Sequence, residues 1–214
     1  MRSGLVHLLP RSCRRGRPLR FGLLGAVIML SACSSTPAPT TYDLTAPVAA
    51  ARHSNASQIL VQPPAAIAVF AGRQIVVKDA AGTISSLGNG QWADELPALV
   101  QARLIYTFEN ASRLRAVARP SSGAVADAQL ISEIRAFQIE TPAGEAFVEL
   151  SAKLVSDRTG RILNGRLFRA RVPVAAIDAP HAARALDEAL STVMLNIVRW
   201  VSTTSIPSRD APET

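Results

Sequence analysis

The chain has 214 residues and carries 23 Lys and Arg against 16 Asp and Glu, a formal charge of +7. Six of those cations (Arg2, Arg11, Arg14, Arg15, Arg17 and Arg20) precede Cys33, and no acidic residue does. Beyond them 17 cations face 16 anions, so the basic excess that would suggest a nucleic-acid partner lies in the leading segment and not in the near-neutral remainder.

The first element in chain order is that basic stretch, followed by the apolar run Phe21 to Leu30 and then Leu30-Ser31-Ala32-Cys33. A charged start, a short apolar segment and small residues at its end describe a bacterial export signal. The closing cysteine makes it resemble a lipobox, in which cleavage between Ala32 and Cys33 leaves Cys33 as an acylated N-terminus. A membrane-spanning helix needs about 20 apolar residues, and Phe21 to Cys33 supplies 13. Ordinary secretory cleavage would leave the cysteine without a role. Twin-arginine export from Arg14-Arg15 lacks the apolar residues expected where Gly16-Arg17-Pro18 stands. From Cys33 to Thr214 there are 182 residues, enough for one domain with a sizeable core. Cys13 lies in the discarded segment, so no thiol remains for a disulfide or thiolate metal site.

Ser34 to Thr41 is rich in Ser, Thr and Pro and reads as a tether. The expected division is a signal peptide over 1–32, lipidated cysteine and tether over 33–41, a folded domain over 42–202 and a frayed tail over 203–214. Strands are expected at Gln58 to Val61 and at Arg73 to Lys78, with Thr83 to Leu87 returning as a hairpin partner. Gly88-Asn89-Gly90 then reads as a flexible turn leading to a helix. In that helix Leu96, Val100, Leu104 and Phe108 share one face with Leu99, and Asp94 caps its start so that Pro97 falls in the first turn. Trp92 should pack back just before the cap. From Glu145 to Val155 apolar and polar residues alternate, and Gln129 to Glu140 and Arg161 to Val174 flank it as a three-strand meander. A closing helix starts after Pro180 and carries Leu186, Leu190, Val193, Ile197 and Val201 on one stripe. The sum is an α/β (α+β) fold, a two-layer sandwich of a mainly antiparallel sheet with two amphipathic helices.

No catalytic constellation emerges. His53 and His181 have no neighbouring ligand at i+3 or i+4, and no Gly-x-Ser-x-Gly or Ser-x-x-Lys is present. Glu133, Glu140, Glu145 and Glu149 sit on strands whose solvated faces account for them. Gly88-Asn89-Gly90-Gln91-Trp92-Ala93 satisfies G-x-G-x-x-A, with Glu109 about 20 residues on as the dinucleotide fingerprint asks. The bulky Trp92, the antiparallel setting and the helical position of Glu109 argue against a phosphate loop. No cofactor is expected beyond the acyl chains on Cys33. Phe147 and Val155 lie on the polar face of their strand, and Leu163 and Leu167 oppose Phe168 on the next. Either helices cover both faces there, or an apolar patch faces a partner or lipid.

Thr41-Tyr42-Asp43-Leu44, Arg73-Gln74-Ile75-Val76, Gln91-Trp92-Ala93-Asp94-Glu95-Leu96-Pro97 and the amphipathic closing helix occur in that order. In this the chain resembles the ABC-type transport auxiliary lipoproteins, the PqiC/YmbA-like group, with Phe70 where the family usually has tyrosine. The resemblance implies a non-enzymatic accessory subunit, partnered by an MCE-domain protein and an ABC permease complex that move lipid or other hydrophobic molecules between membranes. It implies an outer-membrane, periplasm-facing lipoprotein, with Ser34 after the cysteine in place of a retention aspartate. Membrane lipid is then reached through the anchor, and a homo-oligomer is compatible with this role. The alternative is an envelope-assembly lipoprotein of the secretin-pilot or peptidoglycan-synthase-activator type.

Overall fold

The computed structural model describes residues 38–48, 54–111 and 113–208. Its strands and helices, in order, are β1 (Thr40–Tyr42), β2 (Ser54–Val61), β3 (Ala65–Ala66), α1 (Ala68–Ala71), β4 (Gln74–Lys78), β5 (Ile84–Trp92), α2 (Leu96–Ala111), β6 (Arg113–Ala118), β7 (Ala128–Glu140), β8 (Glu145–Ser156), β9 (Ile162–Pro173) and α3 (Ala179–Thr203). The class is α+β, as the sequence leads one to expect, with the strands in one mixed sheet. Its longest ladders, β7–β8 and β8–β9, are antiparallel, as is the β4–β5 hairpin. The shorter contacts, β1–β5, β2–β6, β2–β7, β3–β7 and β4–β7, are parallel.

β8 shows why the meander forms. Ala146, Val148, Leu150, Ala152 and Leu154 are buried, and the residues between them are half-buried or exposed. β7 keeps the same alternation only as far as Ile134, where the register with β8 skips Arg135. The extra residue reverses the parity. Leu130, Ser132 and Ile134 are buried before it, whereas Phe137 and Ile139 oppose Val148 and Ala146 after it. A continuous period-2 pattern through β7 would have turned one of these halves outward.

Both predicted helices are present and bury the predicted faces. Pro97 lies in the first turn of α2, as expected, but Asp94 Oδ1 accepts from the adjacent Glu95 amide instead of an amide one turn on. Asp178 precedes α3, and its side chain accepts from the His181 amide at 3.0 Å. α3 has alanine at 179, 182, 183, 185 and 189 on its buried side, which lets its first half approach the sheet closely.

Several readings change. Thr40 and Thr41 pair with Gly90 and Gln91 instead of ending a tether. Gly88 to Trp92 continues β5 as strand, not as a flexible turn. α3 extends through Thr203, and Ile206 is buried within the stretch read as a tail. Short β1, β3, α1 and β6 have no counterpart in the sequence reading. Cys33, the cleavage point at Ala32 and His53 lie outside the described residues.

Candidate functional site

The sequence signals that are far apart along the chain meet at one corner of the sheet. β1 runs parallel to the end of β5, so Tyr42 stands beside Trp92. The Ala93 amide donates to the Tyr42 carbonyl at 2.7 Å, and the Trp92 amide to the Arg73 carbonyl at 2.7 Å. Arg73 Nε returns a bond to the Trp92 carbonyl at 3.0 Å, and the Leu96 amide reaches the Gly72 carbonyl at 3.1 Å. The first amide of α2 thus finds its partner in the segment leading into β4.

Side chains close the same corner. Trp92 is fully buried, edge-to-face with Phe137 at 5.6 Å between ring centres. Its Nε1 has no hydrogen-bond partner among the described residues. Leu44 is buried, Asp43 is ion-paired to Arg103 of α2, and Thr45 donates through both its amide and its hydroxyl to Asp187 of α3, at 2.7 and 2.8 Å. The Arg103 guanidinium holds the Asp43 carboxyl below its ordinary value of 3.8, helped by the Leu44 amide and opposed by partial burial. Gly90 is where α3 touches down. A Cβ there would lie 2.4 Å from the Ala179 Cβ and 3.1 Å from a Tyr42 ring carbon.

The polar side chains of this corner are engaged in holding it together. No group of three or more His, Cys, Asp and Glu that could hold a metal occurs among the described residues. His181 Nδ1 lies 2.7 Å from Asp178 Oδ1 at the exposed start of α3. The four strand carboxylates have structural partners. Glu140 and Glu145 meet Arg171, Glu149 lies 4.0 Å from Arg135, and Glu133 accepts from the Ser151 hydroxyl at 3.5 Å. Arg171 holds Glu140 below its ordinary value, and Glu140 in turn raises Arg171. With Gly88 to Trp92 in a strand, the G-x-G-x-x-A segment forms no phosphate loop.

The apolar residues on the outer side of the meander divide three ways. Arg171 covers the Phe147 ring at 4.0 Å, so a cation shields it. Leu163, at the register shift between β8 and β9, packs against the core. Leu167 remains exposed. No helix among the described residues is long and apolar enough to cross a membrane.

Comparison with known proteins supplies the context. Uncharacterized protein bll6063 of Bradyrhizobium diazoefficiens is 30% identical over 183 residues, covering 84% of this chain and 49% of the relative. The chain thus spans about half the length of that relative. The crystal structure of protein XCC0632 from Xanthomonas campestris aligns with a TM-score of 0.70 at 26% identity, covering 76% of this chain and 94% of that one. A second crystal structure, of an uncharacterized protein, aligns with a TM-score of 0.62 at 16% identity, over 76% of this chain and 98% of the other, and bears on the fold alone. Residues 42–198, which include Trp92, the Asp43–Arg103 pair and most of α3, match the family model itself: the chain belongs to the ABC-type transport auxiliary lipoprotein components.

Proposed function

We propose that the chain is a non-enzymatic, lipid-anchored subunit that serves an ABC transport system from the outer membrane and docks its periplasmic MCE-domain assembly. The observation that carries this reading is the corner at β1. The family's separated motifs converge on the first described residues after the lipobox, and they fasten Tyr42 to Thr45 to β5, α2 and α3. A domain built to hold its own N-terminal chain suits a protein whose N-terminus is its attachment. Cys33 is the lipidated residue, freed by cleavage after Ala32. One acyl chain binds a membrane marginally, at about 0.8 kcal/mol per buried CH₂, so two or three chains are needed to hold the domain there.

Two measurements test it. Intact mass of the membrane-extracted protein should show an acylated Cys33 terminus, and Cys33→Ala should lose the lipid and leave the membrane fraction. Affinity purification of the full anchored chain should recover an MCE-domain or permease subunit. Recovery of a different envelope machine, or of no transporter subunit, overturns the transport role.

A further inference from the structure

β9 leaves one margin of a twelve-residue strand unpaired, since among the described residues it bonds to β8 alone. Between that margin and the C-terminal half of α3 lies an open groove of about 420 Å³. Its floor is aromatic, with buried Phe168 and Trp200 edge-to-face at 5.5 Å. Its rim is cationic, formed by Arg166, Arg169 and Arg199. Arg166 lies 5.5 Å over the Phe168 ring, and Arg199 donates to Asn196 Oδ1 at 2.8 Å. None of the three has a carboxylate in ion-pair distance among the described residues, in contrast to Arg171 on the same strand, which has two.

We propose that this margin receives an extended acidic segment of a partner protein. The segment pairs through its backbone with Ile162–Pro173, sets carboxylates against Arg166, Arg169 and Arg199, and lays an apolar side chain on the Phe168–Trp200 floor. This names the docking contact of the auxiliary subunit and rests on that reading. The occupant follows from charge and placement. An added strand gains affinity from main-chain bonds and specificity from its side chains. Two β9 margins brought together would face arginine with arginine, which disfavours a second copy of the chain. A lipid surface is disfavoured by position. β1 and Gly90 meet α3 at Ala179, whereas the groove is at Trp200, about 30 Å along the same helix. The chain thus enters the domain at Thr40 beside the Ala179 end of α3, and this entry point and the groove lie at opposite ends of that helix.

The test uses the full lipidated chain in detergent micelles and a short synthetic peptide of alternating glutamate and valine, with a lysine–valine peptide as control. Binding of the acidic peptide should slow amide exchange across 162–173 and weaken as salt rises. Arg166→Glu with Arg199→Glu should weaken it by roughly tenfold or more, while Arg166→Lys with Arg199→Lys largely retains it. Unchanged exchange in the β7–β8 ladder reports that each variant is folded, and the salt and lysine-peptide arms decide the matter even if one is not. Binding without slowed β9 exchange, or equal binding of the lysine peptide, overturns the proposal. So does slowed exchange that follows protein concentration alone, which identifies a second copy as the occupant. Preferential binding of phosphatidylglycerol over phosphatidylcholine vesicles, lost in the glutamate variant, overturns it in favour of lipid. The transport role fails on a separate result, a purification without any transporter subunit, whatever the peptide does.

Discussion

Trp92 and Gly90 show how much of the corner depends on single side chains. Trp92→Ala removes a fully buried indole and its contact with Phe137, so urea unfolding should show a loss of about 3–5 kcal/mol. Trp92→Phe should cost clearly less, because the removed Nε1–H has no hydrogen-bond partner among the described residues. Gly90→Ala places a methyl into Ala179 and should destabilise by about 1–3 kcal/mol. Gly88→Ala, with nothing within 4 Å of its Cβ, should be neutral or mildly stabilising in the same assay. The sequence shows two similar glycines at these places. Only the approach of a helix almost ninety residues later makes one of them indispensable, and no local pattern carries that information.

The elements differ in how readily they can be read, for reasons of period and length. β8, α2 and α3 are long enough to repeat their buried positions several times, so each declares its own face. β7 is as long, but the extra Arg135 divides its pattern into two halves of opposite parity. β1 has three residues, too few for a period, and its pairing with β5 is settled by contacts some fifty residues away. The glycines of β5 resemble a loop because glycine is depleted in strands, and tertiary packing overrides that preference. The Arg166–Arg199 groove was equally illegible, since its residues belong to two elements that meet only in the fold. α3 offers a direct test of close packing. Ala189 is fully buried, and Ala189→Leu should lower stability by about 1–3 kcal/mol, measured as a shift in the denaturation midpoint.

At the scale of the whole molecule, acid should be the solvent condition that loosens the domain. Asp43, Asp79, Glu140 and Asp178 are all held below their ordinary values, by Arg103, the Thr83 amide, Arg171 and the His181 amide respectively. A carboxyl whose folded-state value is depressed stabilises the fold above its unfolded value, and that contribution is lost as pH falls through the folded one. With ordinary values of 3.8 and 4.5, these contributions should be intact at neutral and mildly acidic pH and fade only below about pH 4.5. Melting temperature against pH, with Asp43→Asn showing a shallower acid limb, checks this. The general class of the fold and both major helices were legible because they rest on local amphipathicity. The parallel joins among the shorter strands were not, because parallel pairing requires long crossovers whose geometry leaves little trace in sequence.

The clasp at β1 also decides how the domain bears mechanical load. Tension arriving from the chain ahead of Thr40 meets the three-residue ladder with β5 first, then the Asp43–Arg103 pair, then the two bonds from Thr45 to Asp187. Force entering at one point is therefore split between the sheet, α2 and α3 before it reaches β2. A pull on the chain ahead of Thr40 would strain this three-residue join before the much longer β7–β8 and β8–β9 ladders. β1 is in this sense a yielding coupling, placed so that the part of the fold presenting the arginine groove keeps its shape while the attachment gives.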